Sequence, residues 1–321
     1  MLDGFRVSVI RFNLRAKEPI ILPYTKGVAL RGAIGISLKK TVCTYRDINK
    51  ECGSCMLNTV CPYPAAFEPL RNNLEVWGRR FLNPPRPFVI KPFQEEKTSL
   101  EKEEPFHFDL VVIGKAISLI PYFALAVKEL SDKGIGKTRG KFVIEGIKTL
   151  NYRMGFWKDI FNPEKGVFTE RVEEINWGDF VEKSAELDQN RITLLFVTPT
   201  KIRFRGKVIF NPDFTHIIKR LTERILSLYA LYCNGTADEK AFPLHKASYV
   251  KTVSRKVRWI DTNRQSTKTG NTHPIGGFTG SISFEGELRD FLPLLLAGEL
   301  IHIGKNTTFG NGWYKVVNPS I

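Results

Sequence analysis

The chain has 321 residues, 48 Lys and Arg against 33 Asp and Glu, and a formal charge of +15. That length suits two domains, and 42% apolar with 12% aromatic residues excludes a disordered chain. The charge calls for a polyanionic partner, nucleic acid before others, and no apolar run approaches the roughly 18 residues that would span a bilayer.

From the N-terminus, FRVSVIRFNL alternates apolar and polar residues with the period of a half-buried strand. Its internal charges do not read as a signal peptide, so a cytoplasmic chain is expected. KGVALRGAIGISLKKTV follows, with Val28, Leu30, Ala33, Ile34 and Leu38 near helical spacing. A cysteine-rich segment at about 43–67 interrupts the plan. NPPRPFVIKPF is extended and proline-punctuated. FHFDLVVIG predicts a strand, AISLIPYFALAVKEL a helix, GIGKTRG a hinge and KFVIEGI a strand. Residues 152–190 are acidic and irregular, which predicts a connector between a domain at 1–151 and another at 191–321.

In the second domain ITLLFVTPTKIRFRGKVIF reads as two strand-like runs. FTHIIKRLTERILSLYALYC predicts an amphipathic helix with Ile217, Leu221, Ile225 and Leu228 on one face. GSISFEGEL predicts a strand and RDFLPLLLAGELIHI a helix, followed by the hinge HIGKNTTFGNGWYKV and a terminal strand. The halves thus repeat one order: strand, helix, later strand, helix, Gly-Lys hinge, strand. Such a repeat argues for internal duplication of a ferredoxin-like unit, the topology of the common RNA-recognition sheet. The expected fold class is α+β, tandem ferredoxin-like domains with the cysteine-rich insertion in the first.

Three stretches carry chemistry. Glycine hinges expose amides that bind phosphate oxygens, with Lys137, Arg139, Lys141 and Lys305 beside them; a tight helix-to-strand turn is the plainer alternative. GKT at 136–138 is not a P-loop, because Ser131 stands where glycine is required. The stretch 245–273 carries Lys246, Lys251, Arg255, Lys256, Arg258, Arg264 and Lys268 against Asp261, with Tyr249 and Trp259 among them. Cations for phosphates and flat rings for bases are what a single-stranded or stem-loop RNA site needs. At the start of the first helix, Tyr24, Lys26 and Arg31 lie where amide dipoles favour an anion.

Cys43, Cys52, Cys55 and Cys61 follow the spacing C-x8-C-x2-C-x5-C. In a reducing compartment four clustered thiols predict a structural zinc site. An iron–sulfur cluster and paired disulfides are the alternatives. Cys233 lies in an apolar helix and reads as packing.

The pieces PYTKGVALRGAIG, ECGSCMLNTVCPYPAAFEP, GIGKTRG, WIDTNRQS, IGGFTGSISFEGEL and above all HIGKNTTFGNGWY resemble the Cas-six endoribonucleases of the RAMP superfamily, over nearly the whole chain. That resemblance implies two ferredoxin-like domains that bind CRISPR repeat RNA, the precursor crRNA. It also implies a metal-independent cut in which the 2′-hydroxyl attacks the adjacent phosphate. Two departures stand out. Many members place a histidine on the first helix, whereas the first histidine here is His107, and NRQSTKT replaces a longer arginine-and-serine run. The acid–base candidates are therefore His302 at the second hinge, then His273, with Tyr24, Lys26 and Arg31; His216 and His245 look ordinary. The alternative reading is a non-catalytic RAMP subunit that holds guide RNA among the subunits of a CRISPR effector complex.

Overall fold

Alternation along the first strand decides how the N-terminal unit is built. In β1 (Arg6–Ala16), Ile10, Phe12 and Leu14 are buried while Arg11, Asn13 and Arg15 stay partly exposed. From Ile10 to Arg15 one face therefore seeks a cover and the other does not. The cover is a pair of helices, α1 (Lys26–Val42) and α3 (Ile120–Lys133), whose Leu30, Ile34, Leu38, Phe123, Val127 and Leu130 join the same core. These details come from a computed structural model that describes residues 2–45, 51–69, 75–76, 79–80, 84–93, 97–236, 238–265 and 271–318.

Between α1 and β2 (Phe88–Pro92) lies the cysteine-rich insertion, with one turn of 3-10 helix at Cys52–Ser54 and the short α2 at Pro62–Ala66. Strands β3 (Pro105–Ile113), β4 (Phe142–Asn151) and β5 (Phe156–Asp159) complete an antiparallel sheet of order β2-β3-β1-β4-β5. Phe12 stacks on Phe108 at 4.9 Å, across the register pair that joins β1 to β3.

The C-terminal unit repeats the plan. Strand β6 (Arg191–Thr200) is followed by a hairpin (Ile202–Phe204 with Lys207–Ile209), α5 (Phe214–Tyr232), β7 (Lys251–Ile260), a ribbon (Asn263–Gln265 with Thr272–Pro274), β8 (Gly277–Glu285), α6 (Leu292–Ile301) and β9 (Tyr314–Val317). Its sheet order is β7-β8-β6-β9, all antiparallel. In both units the first strand of the repeat is central, flanked by the third and the fourth. This is the ferredoxin-like order, so the expected α+β class of tandem ferredoxin-like domains is the one observed.

The structure redraws one boundary. The chain divides into Arg6–Ile175 with Leu231–Cys233, and Met1–Phe5 with Asn176–Ala230 and Asn234–Ile321. Residues 152–190 are not a separate connector. Their first part supplies β5 and a hairpin (Phe161–Asn162 with Val167–Phe168) to the N-terminal unit. Their second part forms α4 (Trp177–Ser184), opened by a capping box between Asn176 and Asp179. The reason is α6, buried at Leu292, Leu294, Leu295, Leu296 and Ala297. So apolar a helix needs a second cover, and α4 packs on it. The two strand-like runs expected after residue 191 are one strand and a hairpin, with Arg205 and Gly206 at positive φ in the turn. Among the described residues no helix is long and apolar enough to cross a membrane.

The Tyr314 hydroxyl, in a fully buried side chain, donates to the Leu295 carbonyl at 2.7 Å and ties β9 to α6. Tyr314→Phe should lower the unfolding free energy by about 1–2 kcal/mol, because a buried acceptor loses its donor; urea denaturation measures this.

Candidate nucleic-acid interface

Period-two geometry decides where the basic run of β7 points. Residues directly across an antiparallel pair share a face. Lys256 faces Ser281 and Arg258 faces Thr279 of β8, while Arg255 faces Ile282 and Trp259 faces Phe278. Ile282 and Phe278 are core residues, so the sequence run splits between two sides of the sheet. Lys256 and Arg258 rise from the side away from the helices, together with Ser254, Ser281, Ser283, Thr193 and Lys315. Both cations are exposed, and neither makes an ion pair among the described residues.

The equivalent face of the first sheet is different. Arg11 is held by both Asp109 oxygens at 2.7 and 3.0 Å and lies 4.1 Å over Trp157. Arg15 pairs with Glu145 and Lys148 with Asp159. The two sheets thus share a strand order and differ in charge: one face is neutralised by its own acids, the other is open and cationic.

Trp259 stands on the helix side at the edge of the second sheet, where its ring lies 4.7 Å from Phe210 and its Nε1 donates to Asp261 at 2.9 Å. Lys201 brings its ammonium 6.0 Å from the Trp259 ring and 3.5 Å from the Pro274 carbonyl. Arg264 lies 5.0 Å over Phe309 of the second hinge, and the Asn311 amide donates to the Ile275 carbonyl at 2.9 Å. The ribbon and the hinge are thereby fastened together, with His273 exposed on the ribbon in register with Arg264. Lys201, Phe210, Phe309 and Lys315 were missed by sequence reasoning. Only Lys315 left a signal, as the charged position in an otherwise apolar terminal strand.

In each hinge the lysine amide, expected to be open to phosphate, is already engaged. The Lys137 amide donates to the Ile21 carbonyl at 2.8 Å and the Lys305 amide to the Lys201 carbonyl at 3.0 Å. A Cβ on Gly136 would lie 2.3 Å from the Ile21 oxygen, and one on Gly304 would lie 2.5 Å from the Lys201 oxygen, both at positive φ. The glycines serve backbone-to-backbone approach, and the charge is left to the side chains of Lys137, Arg139, Lys141 and Lys305, all exposed.

His302 is a further correction. It caps α6 at φ 61°, is fully buried, stacks on Trp313, and its Nδ1 donates to the Asn311 carbonyl at 3.1 Å. A ring held inside the hinge is a packing group, not one that meets a ribose. Lys26 and Arg31 also separate. Five residues apart on a helix, they point about 140° away from each other, and they lie over Phe93 at 4.7 Å and Phe67 at 5.2 Å. Tyr24 is 65% exposed. Lys246 is bound to Asp290 at 2.7 Å, a hydrogen bond that raises its pKa, and so leaves the basic set. Lys251 and Arg255 are exposed; Lys251 sits across from Glu285, and Arg255 donates to the Pro212 carbonyl at 3.2 Å. Lys268 lies outside the described residues.

Cys43, Cys52, Cys55 and Cys61 are all free and line one cavity of about 30 Å³. Burial, with help from Glu68, pushes the Cys52 thiol up to about 11, and burial raises Cys61. Among the described residues no three His, Cys, Asp or Glu side chains already stand at metal-holding geometry, so the tetrahedral site read from the spacing is not formed here.

Two family models match the chain: the AF_1859_N N-terminal domain at residues 5–173, and the CRISPR-associated endoribonuclease Cas6 at residues 194–314. An uncharacterized protein of Archaeoglobus fulgidus is 26% identical over 98% of this chain and 99% of its own. Among solved structures, a partial Cas6-RT-Cas1–Cas2 complex aligns with TM-score 0.62 at 12% identity, covering 99% of this chain. This chain spans 47% of that one. Thermus thermophilus Cas6 aligns with TM-score 0.54 at 13% identity, over 98% of this chain and 99% of its own. At such identities the structural likeness speaks for the fold.

Since His302 fills the hinge interior, His302→Ala should cost about 2 kcal/mol or more of stability through the cavity it leaves, read as a lowered urea midpoint.

Proposed function

Because the chain belongs to the family of the AF_1859_N domain and carries a Cas6-type C-terminal domain, we propose that it binds CRISPR repeat RNA and cuts the precursor crRNA. The observation that carries this reading is the open cationic face of the second sheet, Lys256, Arg258 and Lys315, in the same unit as the ring step of Trp259 and Phe210. Phosphates meet the cations, and splayed bases stack on the rings. Cas6 product complexes are among the solved neighbours, and the neighbour in a Cas6-RT-Cas1–Cas2 complex supports a partnership with other CRISPR proteins.

The proposed cut needs no metal. The 2′-oxygen bonds to the adjacent phosphorus as the bond from phosphorus to the 5′-oxygen breaks. The products are a 2′,3′-cyclic phosphate and a 5′-hydroxyl. One proton leaves the 2′-hydroxyl for a base and one is delivered to the departing 5′-oxygen. His273, exposed beside Arg264, is the histidine suited to proton transfer in the C-terminal unit. Arg264 and Lys305 supply positive charge for the phosphorane. Tyr24 is the exposed hydroxyl of the N-terminal candidates. The burial of His302 and the lack of a first-helix histidine favour a second reading, a guide-RNA-holding subunit that does not cut.

One assay separates the two: labelled repeat RNA incubated with the protein in EDTA, with products tested for a cyclic phosphate. Cleavage supports the endoribonuclease, tight binding without a cut supports the subunit, and indifference to repeat RNA overturns both. His273→Ala should slow cleavage about 10²-fold with RNA affinity unchanged, measured in single-turnover reactions. Replacing Lys256 and Arg258 together by alanine should reduce the slope of log affinity against log salt by about 1.4, at about 0.7 per single-strand phosphate contact.

A further inference from the structure

The cysteine-rich insertion has too little buried surface to order itself. No residue from 51 to 61 is buried, and Met56 and Val60 are 89% and 76% exposed. Yet the segment is built at defined points: Cys43 caps α1, Cys52 opens the 3-10 turn, Cys55 closes it and Cys61 caps α2. Each cysteine stands at an element boundary, and all four face one cavity. Small segments without a core are held by a covalent or metal staple, and none of these cysteines is in a disulfide.

We propose that Cys43, Cys52, Cys55 and Cys61 bind one zinc ion that clamps the insertion onto the C-terminal end of α1. Four thiolates are the donor set of structural zinc, and all four sulfur-bearing residues line one cavity. Binding sets four thiol protons free to solvent and leaves a site of charge −2. Lys39 supplies the matching charge: it is 6% exposed, lines the same cavity, and holds its ammonium 5.2 Å over Tyr63. A buried cation beside a dianionic site lowers the cost of burying both. The sulfurs are not yet at bonding geometry, so the ion must draw them inward to about 2.3 Å. The uncovered turn at 51–61 carries three of the four and has no packed side chains to resist the movement.

The clamp has a purpose in the packing. Beyond Cys61 the chain buries Pro64, Ala66 and Phe67. Phe67 lies so near Gly35 of α1 that a Cβ there would be 2.8 Å from the ring, and the Arg31 guanidinium, also on α1, lies 5.2 Å over the same ring. Fixing Cys43 to Cys61 therefore locks α1 from both ends of the insertion. This inference does not depend on the RNA reading.

The test is elemental analysis of protein purified anaerobically without chelator, followed by cobalt(II) titration of the metal-stripped, reduced chain. One zinc per chain, and a tetrahedral cobalt–thiolate spectrum saturating at one equivalent, are expected. Cys52→Ser and Cys55→Ser should lose the spectrum and Cys233→Ser should keep it. Lys39→Met should weaken cobalt affinity about 10-fold or more, the scale of a lost supporting group. If the cysteine variants do not fold, the wild-type titration decides alone. Stoichiometric iron, two disulfides in the anaerobic protein, or a folded reduced chain that takes no cobalt would each overturn the site.

Discussion

Everything in this molecule depends on a strand placed at the centre of its sheet with one side covered. In β1 and again in β6 the alternation of apolar and polar residues sends Ile10, Phe12 and Leu14, or Ile192, Leu194 and Phe196, into a core shared with two helices. A one-residue slip would turn each set outward, so the register is firmly held. On the opposite side Val7 and Val9 are still buried, but the charged positions beyond them differ between the units. Acids on the first sheet bind its arginines and lysine; hydroxyls on the second leave its cations available.

The hinges show how the same arrangement makes a loop rigid. Each follows the second helix of its unit and is pressed so closely against a neighbouring strand end that only glycine fits at Gly136 and Gly304. The Lys137 and Lys305 amides are taken up in that contact, while the side chains of the same two lysines stay exposed. The buried ring of His302 belongs to the same packing. A conspicuous motif can thus be conspicuous for structural reasons, while an exposed histidine, His273, stands on a plainer ribbon nearby.

The insertion obeys another rule. It has no share in either alternation and buries little apolar surface between 51 and 61, and its packed contact with the first helix is Phe67 against Gly35 and Arg31. That makes it an accessory to the first helix and not a third layer.

Period and composition alone carried the element order, the duplication, the basic run and the four cysteines, because these are local properties: alternation, helical spacing, glycine beside lysine, thiol spacing. Residues 152–190 were misread because their reason for existing is not local: α4 forms where α6 needs covering, and β5 forms where β4 has a free edge. The same distinction governs the site. Sequence placed Arg255, Lys256, Arg258 and Trp259 side by side, but a strand sends successive residues to opposite faces, and only the register with β8 assigns each to its face. Whether His302 is exposed, whether Lys246 is paired, and which distant rings meet Trp259 and Arg264 are set by contacts between segments far apart in the chain. No window of sequence contains them, so the fold decided them.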